Sequence, residues 1–300
     1  MAPRIVVCGA TGQQGSAVAT ELMRRGGVQV EAFSRRPTSP AARSLAARGV
    51  TVRRADLLDA ASLVAAFEGA DAVFGVTQPW TADYARADVE AELAQGRNVV
   101  DACRRAGVGH LVLSTAMRVD DAPTGVPHVD SKKHLERYLE GAGVPFTLVR
   151  PGTFMDNIGQ PFFPVKKGTV RGFVAGDVRL PFVSCRDIGK AVAEILAHPA
   201  AWQGKAINLM ADSVSGLELC ATLGRVRRER FTYEAPPAVL MRVLAPEFFR
   251  MRQGFEKAGR PPYPYRVAFD AALKETRRVV GDPWCLERFF EASGYVARVF

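Results

Sequence analysis

The chain is 300 residues long, 48% hydrophobic and 24% charged, so it can build one to three folded cores without staples. It contains no run of about 18 apolar residues that could span a membrane, and the stretch opening Met1-Ala2-Pro3-Arg4 lacks the zones of a signal peptide. The formal charge of +9 would draw anions, but the strongest basic run, Arg225 to Arg230, is broken by Glu229 and no nucleic-acid module is readable, so a solvated basic surface is expected and nucleic acid is not.

In chain order, residues 4–9 predict a buried strand and 16–25 a helix that stops at Gly26-Gly27. A strand over 28–34, a short helix over 41–48 and a strand over 50–54 follow. Asp59 caps a helix over 60–67, which Gly69 ends, and 71–76 is the fourth strand. A long helical stretch covers 82–106, interrupted by Gly96 at a cost of about 1 kcal/mol relative to Ala. Then come a strand over 111–114, a helix over 131–141, and a strand over 146–149 ended by Pro151-Gly152. This alternation predicts an α/β fold, a Rossmann-type parallel sheet with helices on both faces.

The rhythm weakens after residue 152. Apolar pieces at 172–175 and 181–184, a helix over 186–197, a strand over 206–210, a helical region over 235–260, a rigid loop over 259–264 and a closing helix within 284–292 are expected. They suggest a dinucleotide-binding domain over 1–152 and a smaller C-terminal α+β domain over 153–300, for substrate or partner, with segments returning to the sheet.

The run Gly9-Ala10-Thr11-Gly12-Gln13-Gln14-Gly15 lies between the first strand and the first helix. Glycines there permit a tight turn and let backbone N–H groups approach a pyrophosphate, while the helix N-terminus supplies partial positive charge. Sites for NAD place an acid about 20 residues onward to hold the ribose 2′-hydroxyl. Here Ser34-Arg35-Arg36 occupies that position, and a planar guanidinium matches a 2′-phosphate, so the expected cofactor is NADP(H). The alternative is two arginines facing solvent at the start of a loop.

The segment 5–15 with Val18, Ser34-Arg35-Arg36, Ala55-Asp56-Leu57, Gly75-Val76-Thr77, His128-Val129-Asp130-Ser131-Lys132 and Arg150-Pro151-Gly152 with Phe154, Met155 and Asn157 together resemble the NmrA-like group of atypical short-chain dehydrogenases/reductases. The resemblance is densest over 4–160. It implies an extended Rossmann fold with a small C-terminal substrate domain, and a group that includes quinone and isoflavone-type reductases, NADPH sensors and repression regulators. It also implies that Asp56 and Leu57 flank the adenine, that Thr77 and Gln78 lie beside the ribose and nicotinamide, and that Pro151, Gly152 and Phe154 line the nicotinamide side. Asp56 reads equally as a helix cap, and Thr77 and Gln78 as a polar loop.

Short-chain reductases usually carry Tyr four residues before Lys. Here His128 precedes Lys132 at that spacing and Val129 precedes Lys133, so the tyrosine is missing. Lys132 reads as a ribose and nicotinamide anchor, and as a proton donor if buried; the bland alternative is a solvated lysine. His128 can exchange a proton near neutrality or merely pack in a loop. Ser114 and Thr115, at the end of the fifth strand, either face substrate or cap backbone. Asn157, Tyr263 and Tyr265 are weaker candidates. Trp80, Phe154, Met155, Phe162 and Phe163 line a cleft for a flat apolar molecule or are plain core. Asp187 reads as a helix cap.

No metal site is expected: His110, His128, His134 and His198 show no zinc spacing. The five cysteines, odd in number and scattered, exclude a disulfide framework and suit a reduced, cytoplasmic setting. The expectation is an NADPH-dependent reductase of a small apolar carbonyl, quinone or enone, monomeric or homodimeric. The alternative is a non-catalytic NADP(H) sensor acting through a protein partner.

Overall fold

The computed structural model describes residues 1–81, 86–117, 120, 123–259 and 266–292. Tyr263, Tyr265 and most of the expected rigid loop over 259–264 lie outside the described residues. The chain divides into two compact units, one of residues 1–123, 127–150 and 188–207, the other of 124–126, 151–187 and 208–300.

The first half alternates β1 (Arg4–Val7), α1 (Gln13–Arg25), β2 (Gln29–Ser34), α2 (Pro40–Ala46), β3 (Thr51–Arg54), α3 (Ala60–Phe67), β4 (Ala72–Val76), α4 (Val89–Ala106), β5 (His110–Ser114), α5 (Pro127–Glu140) and β6 (Phe146–Pro151). After it come β7 (Thr153–Phe154), a 3-10 turn (Met155–Asn157), β8 (Val165–Lys166), β9 (Thr169–Arg171), β10 (Arg179–Val183), α6 (Cys185–Ala197), α7 (Pro199–Trp202) and β11 (Ala206–Leu209). The chain continues through β12 (Asp212–Ser215), α8 (Gly216–Arg227), β13 (Thr232–Glu234), α9 (Ala238–Leu244), α10 (Pro246–Gly259), α11 (Arg266–Val280) and α12 (Leu286–Ala292).

Seven strands form one parallel sheet in the order β11-β6-β5-β4-β1-β2-β3. The strand order reverses between β1 and β4, and in such sheets ligands bind outside the carboxyl ends of the strands at that switch point. Val6, Val73, Leu111, Leu113 and Leu148 from the strands bury against Leu63, Phe67, Val99, Val100, Cys103 and Leu139 from α3, α4 and α5. In α6, a Cβ at Gly189 would fall 2.6 Å from the Ala17 carbonyl oxygen, so this helix lies directly against α1. Among the described residues no helix is long and apolar enough to cross a membrane.

The second unit contains two three-stranded sheets, β12-β10-β7 and β13-β9-β8. Its aromatic core joins Phe163 to Phe173 and Phe182, with ring centroids 5.6 and 6.0 Å apart, and Phe173 to Phe248 and Phe255.

Several boundaries differ from the sequence reading. α5 begins at Pro127 instead of 131, because proline suits a first helical turn, and this moves His128 out of a loop and onto the helix. α4 begins at Val89, where the Asp88 carboxylate accepts the Ala91 N–H; residues 82–85 lie outside the described ones. The helical region 235–260 breaks at Ala245-Pro246 into two helices.

Candidate functional site

Past β1 the chain turns at Gly9, which sits at φ 61°, a conformation costly for any side chain. The Gly12 N–H donates to the Gly9 carbonyl at 2.9 Å. A Cβ on Gly15 would lie 2.3 Å from that same oxygen, so the helix can start here only without a side chain at 15. Gly12 is the N-cap of α1 and makes no side-chain capping bond, and no acid occupies the first turn. The contrast with α2, α3, α4 and α8 is sharp, since Ser39, Asp59, Asp88 and Ser215 cap those helices. Thr11, Gly12 and Gln13 are exposed and Gln14 is half-buried. A side-chain-free cradle ahead of a helix end with no side-chain cap is what a pyrophosphate requires, so the loop fits a dinucleotide.

At the end of β2, Ser34 is buried and its hydroxyl accepts the Arg36 N–H at 3.1 Å. Arg35 and Arg36 are exposed, and neither has an ion-pair partner among the described residues. Arg53 on the neighbouring strand is by contrast bound to Glu31. Asp56 is not the cap of α3; Asp59 takes that role, while the Asp56 carboxylate accepts the Leu58 N–H at 3.1 Å in a tight turn. The Leu57 carbonyl accepts the Asn98 side-chain amide at 2.9 Å.

The densest chemistry lies where α4 meets α5. In α4 the buried stripe is Glu92, Gly96, Val99, Val100 and Cys103, at helical spacing. A Cβ on Gly96 would lie 2.4 Å from Leu135 Cδ2, so this glycine sets how closely the helices approach. One turn earlier on both helices, Glu92 faces Ser131 and Lys132. Lys132 Nζ is 2.6 Å from Glu92 Oε1 and donates to Thr77 Oγ1 at 2.5 Å. Thr77 donates to Glu92 Oε1 at 2.9 Å, and Ser131 donates to the other oxygen. Glu92 is 0% exposed and Lys132 6%, so Lys132 is a buried, paired ammonium and not a solvated residue.

A second carboxylate sits one turn further along α5. Glu136, also fully buried, accepts Thr115 Oγ1 at 2.7 Å and the Arg150 guanidinium through both oxygens at 2.9 and 2.7 Å. Arg150 reaches on to Asp120 at 2.6 Å, and Lys133 binds the same carboxylate at 2.8 Å. Partial burial opposes the Asp120 charge, but Lys133 and Arg150 hold its carboxyl below the usual range. Ser114, 1% exposed, donates to the Gln14 amide oxygen at 2.7 Å and so ties the end of β5 to the first turn of α1. Gln78 is exposed, its backbone N–H bound to Gln95. His128 packs against Trp80 in a tilted arrangement, with ring centroids 4.9 Å apart and planes at 43°.

Other predicted residues belong to the second unit. The Gly152 N–H donates to the Leu209 carbonyl at 2.9 Å beside buried Pro151, and Phe154, in β7, pairs in register with Val183. Asn157 and Phe162 are half-buried, and Phe162 packs on Phe248. Met155 and Phe163 are buried, at 0% and 2% exposed. Asp187 is not the cap of α6: Ser184 caps the helix, and the buried Asp187 carboxylate accepts the Ser184 hydroxyl and the Trp284 N–H. Burial pushes the Cys8 thiol up to about 12, so no thiolate forms beside the loop.

Sequence reading missed Glu92 and Glu136, and gave Ser131 and Arg150 no role. A signal existed: both acids fall on otherwise buried helical stripes, where a charge survives only if it is paired.

The sequence pattern of the NmrA-like family matches residues 1–261. The chain belongs to the NmrA-like family. Quinone oxidoreductase 2 of Escherichia coli K12 is 30% identical over 233 residues, 77% of each chain. The NmrA-like oxidoreductase FrzB of Cladobotryum is 29% identical over 252 residues, 77% of this chain and 75% of that one. Among solved structures, NmrA, a negative transcriptional regulator, superposes on this NmrA-like chain with a TM-score of 0.80 at 24% identity, covering 100% of this chain and 99% of the other. The E. coli quinone oxidoreductase crystallised with NADPH gives 0.73 at 25%, covering 96% and 98%.

Proposed function

We propose that this NmrA-like protein is an NADP(H)-dependent reductase of a small, largely apolar quinone, enone or carbonyl acceptor. The observation that carries the reading is a single connected arrangement. The Gly9–Gly15 loop is tied through Gln14 to Ser114, and Thr115, next along, is tied to Glu136 on α5. Lys132, one turn before Glu136, is held against Thr77 at the end of the adjacent strand. The loop that fits a dinucleotide and the buried ammonium are thus both anchored at the carboxyl ends of neighbouring strands. The quinone reductase relative, known in complex with NADPH, supports the same reading.

When bound, the nicotinamide would deliver a hydride to the acceptor. Gly9, Thr11, Gly12, Gln13 and Gly15 would cradle the diphosphate, with Asp56, Leu57 and Gln78 along the nucleoside. Arg35 and Arg36, with no carboxylate to neutralise them among the described residues, would take the 2′-phosphate. Lys132 Nζ would give a proton to the acceptor oxygen, in place of the missing tyrosine, and regain one from water. Trp80 beside His128 would favour a flat acceptor.

The test is NADPH oxidation with a panel of quinones and enones, with Lys132→Ala as control. Turnover that is lost in the variant supports the reading; no turnover with any acceptor overturns it. One observation favours a second reading: His128, at the spacing expected for tyrosine, is packed against Trp80 in a tilted ring contact. A sensor that binds NADP(H) and then a protein partner would show cofactor binding, no turnover, and cofactor-dependent capture of that partner.

A further inference from the structure

We propose that Glu92 is a positioning residue: it fixes the direction of the Lys132 side chain toward the acceptor. The catalytic half of this inference rests on the reductase reading above; the clamp itself does not.

Among the described residues the geometry is closed on the carboxylate side and open on the ammonium side. Glu92 Oε1 meets Lys132 and Thr77, and Oε2 meets Ser131, so both oxygens are used and the acid can do no proton work on a substrate. An ammonium has three N–H donors. Among the described residues two are taken, by Glu92 and Thr77. The third has no partner among those residues and can meet a ligand, on a side chain only 8% exposed. The two contacts come from two elements other than its own helix α5: the end of β4 and α4. A flexible four-carbon stem is thereby held to one orientation. The Gly96–Leu135 contact one turn away sets the distance across which Glu92 acts.

The test uses Glu92→Gln, nearly the same shape, in the full-length protein. Without cofactor, labelling of Lys132 by an amine-reactive acetylating reagent, followed by peptide mass spectrometry at pH 8, should be more than fivefold faster in the variant, because the side chain is no longer held in its buried contact with residue 92. With NADPH and a quinone, kcat should fall at least tenfold while KM for NADPH stays within twofold. Glu92→Asp should recover part of both effects, and it carries the labelling test alone if Glu92→Gln does not fold. Unchanged labelling overturns the clamp. Faster labelling in a protein that turns over no acceptor supports the clamp and removes the reductase reading.

Discussion

The N-terminus of α1 and the seam between α4 and α5 treat polar groups in opposite ways. At α1 the helix end has no side-chain cap and no acid in its first turn, and two guanidinium groups nearby lack ion partners among the described residues. At the seam, two carboxylates with no exposure are bonded through all four oxygens. A surface that must accept an anion leaves its donors uncommitted, whereas buried charges persist only when every contact is made. The loop thus fits an anion, and the seam holds one lysine in place.

The largest effect should come from breaking the seam. Lys132→Met leaves Glu92 buried with no cation and should cost about 3–5 kcal/mol of stability, read from denaturant melts. Adding Glu92→Leu should recover most of the loss; a double variant as unstable as the single one would show that the pair is not the unit. Next is the loop. Gly15→Ala forces a Cβ to 2.3 Å from the Gly9 oxygen, and NADPH affinity should fall by about 100-fold, roughly 2.8 kcal/mol. Calorimetry checks this, and undiminished affinity would mean that the phosphates bind elsewhere.

A smaller effect sharpens the choice of cofactor. Arg35→Ala with Arg36→Ala should weaken NADPH by about 2 kcal/mol, as expected for hydrogen bonds to a charged group. NADH affinity and melting temperature should hardly move, since both side chains are exposed. Equal losses for the two cofactors would remove the 2′-phosphate role.

The smallest effect concerns His110, under the sheet, where burial lowers the imidazole below its ordinary 6.5. Thr147 gives its hydroxyl proton to the Trp202 carbonyl, so it accepts from His110 Nε2–H, and the ring sits neutral. The unfolded chain takes up the proton first as pH falls. Stability should thus be full above about pH 6.5 and decline below it, until the folded ring protonates too. Melting curves from about pH 7.5 to about pH 5 should show this decline, and His110→Gln should flatten it.

What was legible in the sequence was what the backbone demands locally. Gly9 and Gly15 are required by one turn, Asp59 caps the helix that follows it as expected, and the strand rhythm needs only neighbouring residues. Glu92 stayed hidden because its partner is Lys132, 40 positions away, and only the closeness of Gly96 to Leu135 brings them together. Strands β7, β8, β9 and β13 are two or three residues long, too short to show a period. Helix α8 could have been found, since Ser215 and Glu218 form a complete capping box ahead of it.

The most direct measurement is paired calorimetric titration of the purified protein with NADPH and NADH at one ionic strength. The account predicts binding of both, with NADPH at least tenfold tighter and its advantage lost in the double arginine variant. Heat from neither nucleotide would contradict it at the root.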